Sequence, residues 1–447
     1  MSDSSTVAII GAGLAGSEAA LVLAKKGVSV ELFEARPFYT SPAHKTDLPA
    51  ELVCSNSFKS QELPTAHGLL KAELTMLESP LLQIARGCSV PAGSALAVDR
   101  ELFSNKINEA LANQPNITFT RKEISEPPQG YKHCIIAAGP LASEKLTSWL
   151  VERFSSEKLH FYDAIAPIIA ADSIDRTIAF SASRWEEGEG DYVNCPFTEE
   201  EYRIFYNALR EADRVSARAF ENERFFEACL PVEVAASRSF EALAFGPLRP
   251  VGLIDPRTGR RPFAVCQLRK ENFSADSYNM VGFQTRLTFP EQKRVFRLIP
   301  GLQNAEFDRY GSIHRNTYLD SPKLLNGDLT FKDAPDLSLA GQMCGNEGYT
   351  ESIATGHLAA LFVAAKINGQ KPFLPPRETA LGSMLNHVTH SESEPFTPTN
   401  INFALFPELG AVRKGRIGKK EKKELVCKRA LDALACSLRD NSNTCLA

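Results

Sequence analysis

The chain opens with a short apolar run, a glycine-rich break, a helical stretch and a second apolar run. Residues 7–10 are all apolar and predict a buried strand. Glycines at positions 11, 13 and 16 follow, and the Ala-rich segment 17–25 predicts a helix. Residues 28–33 predict another strand, which ends at Glu34. This order predicts a βαβ unit with parallel strands.

The glycines in this unit have the spacing G-x-G-x-x-G. Gly11 permits a tight turn, Gly13 lets the backbone approach a pyrophosphate, and Gly16 lets the helix pack on the strand. The unpaired N–H groups at the helix N-terminus favour an anion. Glu34 lies 18 residues after Gly16, where an acid can accept hydrogen bonds from ribose hydroxyls. The segment therefore predicts a dinucleotide site formed by Gly11, Ala12, Gly13, Leu14, Ala15, Gly16 and Glu34.

Two later apolar runs also end in glycine turns. Residues 134–140 predict a strand that ends at Gly139, and residues 337–342 predict one that ends at Gly341 and Gln342. A small-residue helix, 351–366, follows the second run. In flavoproteins of the glutathione-reductase kind, such strands return to the first sheet and the last helix points its N-terminus at the flavin. We therefore add Gly139, Gly341 and Gln342 to the predicted cofactor site.

This pattern predicts an α/β fold with a Rossmann-like, glutathione-reductase-like FAD-binding domain that is discontinuous in sequence. We expect it to comprise residues 1–140 and 337–447, with an inserted α+β domain at 141–336. In the first part, residues 40–60 read as a loop and 64–85 as one helix. In the insertion, strands are expected at 164–171, 265–269 and 278–284, and helices at 199–212 and 290–298.

A basic, helical tail is expected at residues 413–438. Nine cations lie between positions 413 and 429, and only Glu421 and Glu424 oppose them: Arg413, Lys414, Arg416, Lys419, Lys420, Lys422, Lys423, Lys428 and Arg429. Such a run is either a solvated helix face or an arm that contacts phosphates.

Composition fits a soluble globular enzyme. The 447 residues carry a net charge of −4, so no general attraction to nucleic acid is implied. No signal peptide and no apolar stretch of membrane-spanning length is apparent. The ten cysteines are scattered, which favours free thiols in a reducing cytoplasm. The histidines, cysteines and carboxylates show no metal-site spacing.

Two cysteines are candidates for catalysis. Cys54 lies in a polar loop, and Cys229 lies in the segment FEACLPVE of residues 226–233. A cysteine taken singly is most often a small buried hydrophobe. Cys88, Cys134, Cys266 and Cys344 lie in or beside apolar runs and fit that structural role better.

Motifs along nearly the whole chain resemble one family. They are 51–59 (ELVCSNSFK), 226–233, 253–259 (LIDPRTG), 279–285 (NMVGFQT), 310–316 (YGSIHRN) with 321–323 (SPK), 340–352 (AGQMCGNEGYTES), and 399–403 (TNINF) with 405–407 (LFP). The family is that of the folate- and FAD-dependent tRNA uracil-5-methyltransferases, TrmFO, which is related to the GidA proteins. Ala228 stands where the family pattern has glycine, and the segment after Leu438 does not align.

The resemblance implies methylation of a uracil C5 in the T-loop of tRNA. Methylenetetrahydrofolate gives the carbon, and NAD(P)H supplies the reducing equivalents through FAD. The resemblance implies Cys229 as the nucleophile at C6 and Cys54 as the base or partner thiol, with roles that can be exchanged. Tyr349 either stacks on flavin or uracil or packs in the core. The target base must be extruded from its folded loop, and the tail and the basic residues Arg286, Arg294, Arg315 and Lys323 are expected to hold the phosphates.

Other functions stay open at this point. The same chemistry on a ribosomal RNA uridine is one, and a GidA-like modification of the tRNA wobble uridine is another, although the chain is short for it. A function of a different class is a small-molecule NAD(P)H-dependent flavin oxidoreductase. The chain has no C-x-x-C pair, which argues against a disulfide reductase. A non-catalytic RNA-binding paralogue is disfavoured by the presence of both Cys54 and Cys229. The oligomeric state is not indicated.

Overall fold

The computed structural model describes residues 6–154, 159–186, 188, 190–215, 230–409 and 418–444. Its strands are β1 (Val7–Ile10), β2 (Val30–Glu34), β3 (Ser57–Ser60), β4 (Ser89–Val90), β5 (Ala95–Val98), β6 (Ile117–Arg121), β7 (His133–Ile136), β8 (Leu159–Ile165), β9 (Ile168–Ala170), β10 (Phe180–Ser181), β11 (Tyr192–Phe197), β12 (Ala264–Lys270), β13 (Ser277–Met280), β14 (Phe307–Arg309), β15 (Ser312–Tyr318), β16 (Thr330–Phe331) and β17 (Ala334–Leu339). Its helices are α1 (Leu14–Lys25), α2 (Ala66–Met76), α3 (Pro80–Gly87), α4 (Arg100–Ala112), α5 (Glu144–Phe154), α6 (Glu199–Glu211), α7 (Val232–Arg238), α8 (Phe240–Phe245), α9 (Phe289–Phe296), α10 (Ser321–Leu324), α11 (Tyr349–Ile367), α12 (Ala380–His390) and α13 (Lys419–Thr444).

A six-stranded sheet in the order β16-β17-β7-β1-β2-β6 organises the first part of the molecule. The strands from β17 to β6 are parallel, and only β16 at the edge is antiparallel. β1 is buried along its whole length, which explains its unbroken apolar sequence. β17 pairs with β7 next to β1, so the late strand does return to the first sheet as predicted.

A second six-stranded sheet, in the order β10-β11-β12-β13-β9-β14, lies in the inserted segment. Its ladders are all antiparallel. The separate two-stranded ladder of β8 and β15 pairs Leu159 with Tyr318 and Ile165 with Ser312. A parallel sheet and a distinct antiparallel sheet thus coexist in one chain.

Each large sheet has its own apolar core. One cluster of buried side chains surrounds the parallel sheet, and another packs on the antiparallel sheet with α6 and α9. Leu146 and Leu150 of α5 and the side chains of Leu319, Leu325, Leu329 and Phe331 belong to the first core, although they lie in the predicted insertion. The domain limits at 140/141 and 336/337 stay a prediction.

The helix expected over 64–85 is two helices, α2 and α3. Glu78 between them has φ +57°, which ends the first helix. The Ser79 side chain caps α3, and Pro80 occupies its first turn. The loop expected over 40–60 also contains a short strand, β3.

Helices α1 and α11 pack together on one face of the parallel sheet. The buried Glu18 of α1 accepts a hydrogen bond from His357 Nδ1 of α11 at 2.7 Å, and its other oxygen accepts the N–H of Leu81. Both helices begin just after a strand of the parallel sheet or its glycine turn. Their N-termini therefore face the same edge of the sheet.

Candidate active site

The glycine turn after β1 has the geometry that its spacing predicts. Gly11 has φ +100°, and a Cβ there would lie 2.6 Å from the Ala137 carbonyl oxygen. A Cβ at Gly16 would lie 1.8 Å from the Gly11 carbonyl oxygen, so only glycine allows α1 to start this close to the turn. A Cβ at Gly13 would meet nothing within 4 Å. Backbone is thus exposed to open space at Gly13.

A long cleft, here called the nucleotide cleft, extends from this turn. It passes between the β2 and β7 ends and reaches the β17 end and the start of α11. Nine of the predicted site residues line it: Gly11, Gly13, Leu14, Ala15, Glu34, Gly139, Gly341, Gln342 and Tyr349. Ala12 and Gly16 are not in its lining: Ala12 donates its N–H to Glu34, and Gly16 packs against Gly11.

Glu34 is held by protein donors at the edge of the nucleotide cleft. Its Oε2 accepts the Ala12 N–H at 3.0 Å, and its Oε1 accepts the backbone N–H and Nε–H of Arg36 at 3.1 and 2.9 Å. Burial alone raises the pKa of Glu34, but the hydrogen bonds and charge of Arg36 outweigh it and lower the pKa overall. A carboxylate accepts about four hydrogen bonds, so one position remains for a ribose hydroxyl.

The nucleotide cleft fits a flavin dinucleotide. Neither α1 nor α11 has a side-chain cap at its N-terminus, at Gly13 and Gly348 respectively, so first-turn N–H groups are available to phosphate and ring oxygens. The open space at Gly13 would admit a pyrophosphate, and Glu34 lies at the end of the neighbouring strand. FAD would therefore be held by the glycine turn, Glu34, Gly139, Gly341 and Gln342.

A second cleft, here called the thiol cleft, holds Cys54. It shares Val53, Pro140, Leu141, Gln342 and Tyr349 with the nucleotide cleft. The Cys54 side chain is half-buried at this junction. Its other walls come from the antiparallel sheet and the β8–β15 ladder and include Arg269, Asn279, Gln284, His314 and Asn316. The thiol thus lies in a cleft to which both the nucleotide-binding part and the antiparallel sheet contribute residues.

Tyr349 fixes the loop that carries Cys54. Its phenolic oxygen accepts the backbone N–H of Cys54 at 2.9 Å and that of Ser55 at 3.2 Å. Its ring packs against Phe58 with centroids 5.6 Å apart. Burial, followed by the nearby Cys54, raises the pKa of Tyr349, so the phenol keeps its proton. Tyr349 lines both clefts and packs in the core at the same time.

Arg100, which the sequence did not indicate, holds the same loop from the other side. Its guanidinium donates to the Leu52 carbonyl at 2.5 Å and forms an ion pair with the buried Glu271 at 2.6 Å. Nothing in the sequence distinguishes Arg100 from an exposed residue in the first turn of α4.

Asn56 joins the loop to the antiparallel sheet. Its side chain donates to the Val98 and Lys270 carbonyls and accepts from Arg269 Nε at 3.0 Å. Arg269 is buried and lines the thiol cleft. Asn56 and Arg269 lie inside segments that the sequence marked, but their pairing was not foreseen.

Positive charge surrounds the thiol. Arg100, Arg269 and Arg309 each interact electrostatically with Cys54. His314, in the same cleft, is neutral near neutral pH, because burial and then Arg309 and His44 lower its pKa to about 4. The thiol cleft itself therefore combines the Cys54 thiol, the Arg269 guanidinium and a neutral imidazole.

Cys229 lies outside the described residues. The described part of the chain resumes at Leu230, and the Val232 N–H donates to the Gln284 carbonyl at 2.7 Å. Gln284 lines the thiol cleft. The four cysteines assigned a structural role, Cys88, Cys134, Cys266 and Cys344, are all buried.

The basic residues proposed for phosphate contact have varied surroundings. Arg294 pairs with Glu291 at 2.5 Å, and Lys323 pairs with Asp320 at 2.8 Å and Glu394 at 3.2 Å. Arg286 lies 3.9 Å from the buried Glu233. The side chain of Arg315 lies outside the described residues.

The tail helix α13 has both an exposed and a packed part. Residues 419–425 are exposed, whereas Val426, Cys427 and Ala430 are buried against the first core. Arg429 donates to the Pro407 and Glu408 carbonyls, so this side chain holds α13 against the preceding segment. Residues 413–417 of the basic run lie outside the description. Among the described helices, none has both the length and the apolarity to cross a membrane.

Comparison with known proteins identifies relatives of this chain. The family model described as glucose inhibited division protein A matches residues 6–371. The Aquifex aeolicus GidA structure (form II crystal) superposes with a TM-score of 0.66 at 17% identity, over 86% of this chain and 67% of that one. This likeness shows the fold, and it confirms the predicted α/β class.

Sequence similarity is much higher to two curated enzymes. The methylenetetrahydrofolate–tRNA-(uracil-5-)-methyltransferase TrmFO of Enterococcus faecalis is 51% identical over 96% of this chain and 98% of its own length. The TrmFO of Heliobacterium modesticaldum is 50% identical over 98% of both chains. Identity at this level over nearly the full length shows that this chain belongs to the TrmFO family of methylenetetrahydrofolate–tRNA-(uracil-5-)-methyltransferases.

Proposed function

We propose that this protein methylates uracil C5 of tRNA, using methylenetetrahydrofolate as the carbon donor, NAD(P)H as the reductant and FAD as its bound cofactor. The single observation that carries the proposal is the position of Cys54, at the junction of the nucleotide and thiol clefts. The full-length similarity to TrmFO enzymes supports it. We propose the T-loop uridine as the target, and a cytoplasmic location follows from a tRNA substrate and a reaction that needs free thiols.

The chemistry requires activation of the uracil ring. C5 is a weak nucleophile until a thiolate adds at C6 and converts the ring to an enolate, which can attack a one-carbon electrophile. We propose Cys229 as the thiol that adds at C6 and Cys54 as the group that removes the C5 proton or assists as a partner thiol. The two roles can be exchanged. Loss of the C5 proton then expels tetrahydrofolate and leaves an exocyclic methylene at C5. When bound and reduced by NAD(P)H, FAD supplies the hydride that converts this methylene to the methyl group, and the thiolate leaves C6.

The residues around Cys54 have supporting roles in this proposal. Tyr349 and Arg100 hold the backbone of the Cys54 loop, so the thiol is positioned before substrate binds. Arg269 lines the cleft as a cationic donor that can stabilise the enolate oxygen. His314 is neutral and can accept a proton.

Access to the thiol cleft requires that the target base leave its stack in the RNA. Extrusion costs roughly a few kcal/mol, which contacts with the rest of the tRNA must offset. We propose that the exposed cations of α13 contribute phosphate contacts outside the clefts.

The test is isotope transfer by the purified, flavin-loaded protein. Methylenetetrahydrofolate labelled in its one-carbon unit, NADPH and unmodified tRNA should give labelled ribothymidine, detected by mass spectrometry of the digested RNA. Parallel reactions should replace the folate with labelled S-adenosylmethionine, or the tRNA with a ribosomal RNA fragment. Label transferred only from S-adenosylmethionine, or only to ribosomal RNA, would contradict the proposal.

A further inference from the structure

A third cleft opens beside the thiol cleft, and of its lining residues only His314 has a role in the chemistry proposed above. Tyr39, Lys45 and residues 140–142 line it from one part of the chain, and Phe289, residues 307–310 and residues 312–314 line it from another. Pro140, Leu141 and His314 line both this cleft and the thiol cleft. A ligand in the third cleft would therefore lie next to whatever binds at Cys54.

Three aromatic rings form a nearly parallel stack in this cleft. Phe289 and Tyr310 have centroids 4.9 Å apart and planes 19° apart, and Tyr310 and Phe307 have values of 5.1 Å and 16°. A register shift in the pairing of β14 with β9, between Phe307 and Arg309, interrupts the usual alternation of side chains along the strand. Phe289 ends the stack and is 56% exposed. A large apolar ring left in water at the end of a stack offers a surface for another flat ring.

Two cations in the same cleft are not neutralised by a salt bridge. Lys45 and Arg309 both line it, and in the described part of the chain neither forms an ion pair. Arg309 donates to the Ala43 carbonyl at 3.4 Å. Burial lowers the pKa of Lys45, and the nearby Arg309 lowers it further. Burial likewise lowers the pKa of Arg309, and the nearby Arg100 adds to this effect. The fold thus holds like charges close together.

Acidic groups are also present in this cleft. Asp308 and Glu144 line it, and the Asp308 carboxylate accepts a hydrogen bond from the Ser277 hydroxyl at 2.8 Å. Neither carboxylate forms a salt bridge with Lys45 or Arg309. Glu51 and Asp308 raise the pKa of Lys45, but each does so less than Arg309 or Arg100 lowers it, so an added anion would relieve the repulsion that remains between the cations.

We propose that this cleft is a nucleotide subsite, in which a base stacks on Phe289 and its phosphate lies at Lys45 and Arg309. A flat ring joined to an anion is the chemistry that the stack and the cations recognise together. The proposal rests on the proposed function, which offers two sources of such a nucleotide. One is an unstacked nucleotide of the tRNA next to the target uridine, and the other is the nicotinamide dinucleotide.

The experiment compares direct binding and turnover for variants of the flavin-loaded protein. Phe289→Ala removes the stacking face, Phe289→Trp keeps it, and Lys45→Ala removes one cation. Binding of a fluorescently labelled T-arm RNA hairpin and of NADP⁺ is measured without turnover, and KM is then measured for tRNA and NADPH. Phe273→Ala is the matched control, because Phe273 is also 56% exposed and lies outside the cleft lining.

Phe289→Ala should weaken binding of one of the two ligands about tenfold, in keeping with the usual contribution of a stacked base. Lys45→Ala should weaken binding of the same ligand, because it removes a cation that contacts the phosphate. The matching KM should rise with little change in kcat, and Phe289→Trp should restore wild-type binding. The affected ligand identifies the source. Unchanged binding of both ligands, or an equal loss in Phe273→Ala, would overturn the subsite. Absence of methyl transfer by the wild-type protein would instead contradict the proposed function. The binding measurements with the RNA hairpin and NADP⁺ would still show whether the subsite exists.

Discussion

The hydroxyl oxygen of Tyr349 accepts the backbone N–H of Cys54 at 2.9 Å, although 295 residues separate them in the chain. Tyr349 is the first residue of α11, and Cys54 lies in the loop after β2. The return of β17 to the first sheet places the start of α11 beside that loop. The thiol is therefore positioned by the same strand pairing that completes the nucleotide cleft.

Tyr349→Phe should lower kcat about tenfold or more with little change in bound flavin. The ring would keep its contact with Phe58, but the N–H groups of Cys54 and Ser55 would lose their acceptor. A buried unsatisfied N–H costs about 1–3 kcal/mol, which the loop can avoid only by moving. Steady-state kinetics checks this, with flavin content as a measure of folding. Tyr202→Phe is a control, since it removes a hydroxyl bond to the Phe240 carbonyl in the core of the antiparallel sheet, and Tyr202 is in the lining of neither cleft. A wild-type kcat in Tyr349→Phe would argue against a positioning role.

Gly13→Val should fold and yet purify without flavin. Gly13 has φ −72°, and a Cβ built there meets no protein atom within 4 Å, so we expect the fold to tolerate a side chain. The valine would occupy the space expected for the pyrophosphate. Visible absorbance of the purified protein, and its recovery after incubation with FAD, measures the effect. Gly16→Val should fail at the level of folding instead, because its Cβ would collide with the Gly11 carbonyl. A yellow Gly13→Val protein would contradict the predicted cofactor position.

Cys54→Ala and Cys229→Ala should each keep FAD and lose nearly all methylation. The two losses should be strongly non-additive in the double variant, because the thiols serve one reaction sequence. The exposed Cys436 in α13 is the control, and Cys436→Ala should leave turnover nearly unchanged. A covalent protein–RNA complex that survives denaturation and disappears in only one variant would identify the thiol that adds at C6. Near-normal methylation by Cys229→Ala would refute its nucleophilic role.

Replacing Lys419, Lys420, Lys422 and Lys423 with alanine should weaken tRNA binding and flatten its salt dependence. These side chains are exposed, so the change should not disturb the packed part of α13. The slope of log affinity against log salt should fall by about 0.7–0.9 for each lysine–phosphate interaction that the substitutions remove. Filter binding at several salt concentrations measures this, and flavin reduction by NADPH should be unaffected. Equal affinities would show that the segment is only a solvated helix face.

Stability should fall on acidification in part because of His133. This buried residue joins β7 to β17 through a hydrogen bond with Ser338 at 2.8 Å, and burial lowers its pKa to about 4. Its folded pKa lies below the unfolded value of about 6.5, so its contribution is complete above pH 6.5 and is lost as the pH falls towards 4. Urea unfolding across this range measures the effect. His133→Gln should be less stable at pH 7 but should lose less stability on acidification, and an unchanged pH slope would contradict this.

The amino-acid sequence by itself determined the elements that depend on neighbours in the chain. The turn at Gly11 and the close approach at Gly16 follow from local backbone sterics, and the buried parallel strands follow from unbroken apolar runs. The return of β17 to the first sheet was also predicted correctly. Gln342 lines the nucleotide cleft, and its contact with the cofactor stays a prediction. The division between α2 and α3 was missed, although Ser79 and Pro80 carried the signal of a new helix start.

Only the tertiary structure decided which polar groups meet. The sequence indicated Glu34 as a site residue, but it did not predict the hydrogen bonds and ion pair with Arg36. It also indicated Cys54, but not the hydrogen bond from the Cys54 backbone N–H to Tyr349. The ion pair of Arg100 with Glu271 joins residues 171 positions apart, and no local pattern encodes it. The physical reason is that hydrophobic periodicity and glycine sterics act over a few residues. Hydrogen bonds and charges at this site instead depend on how the two sheets pack.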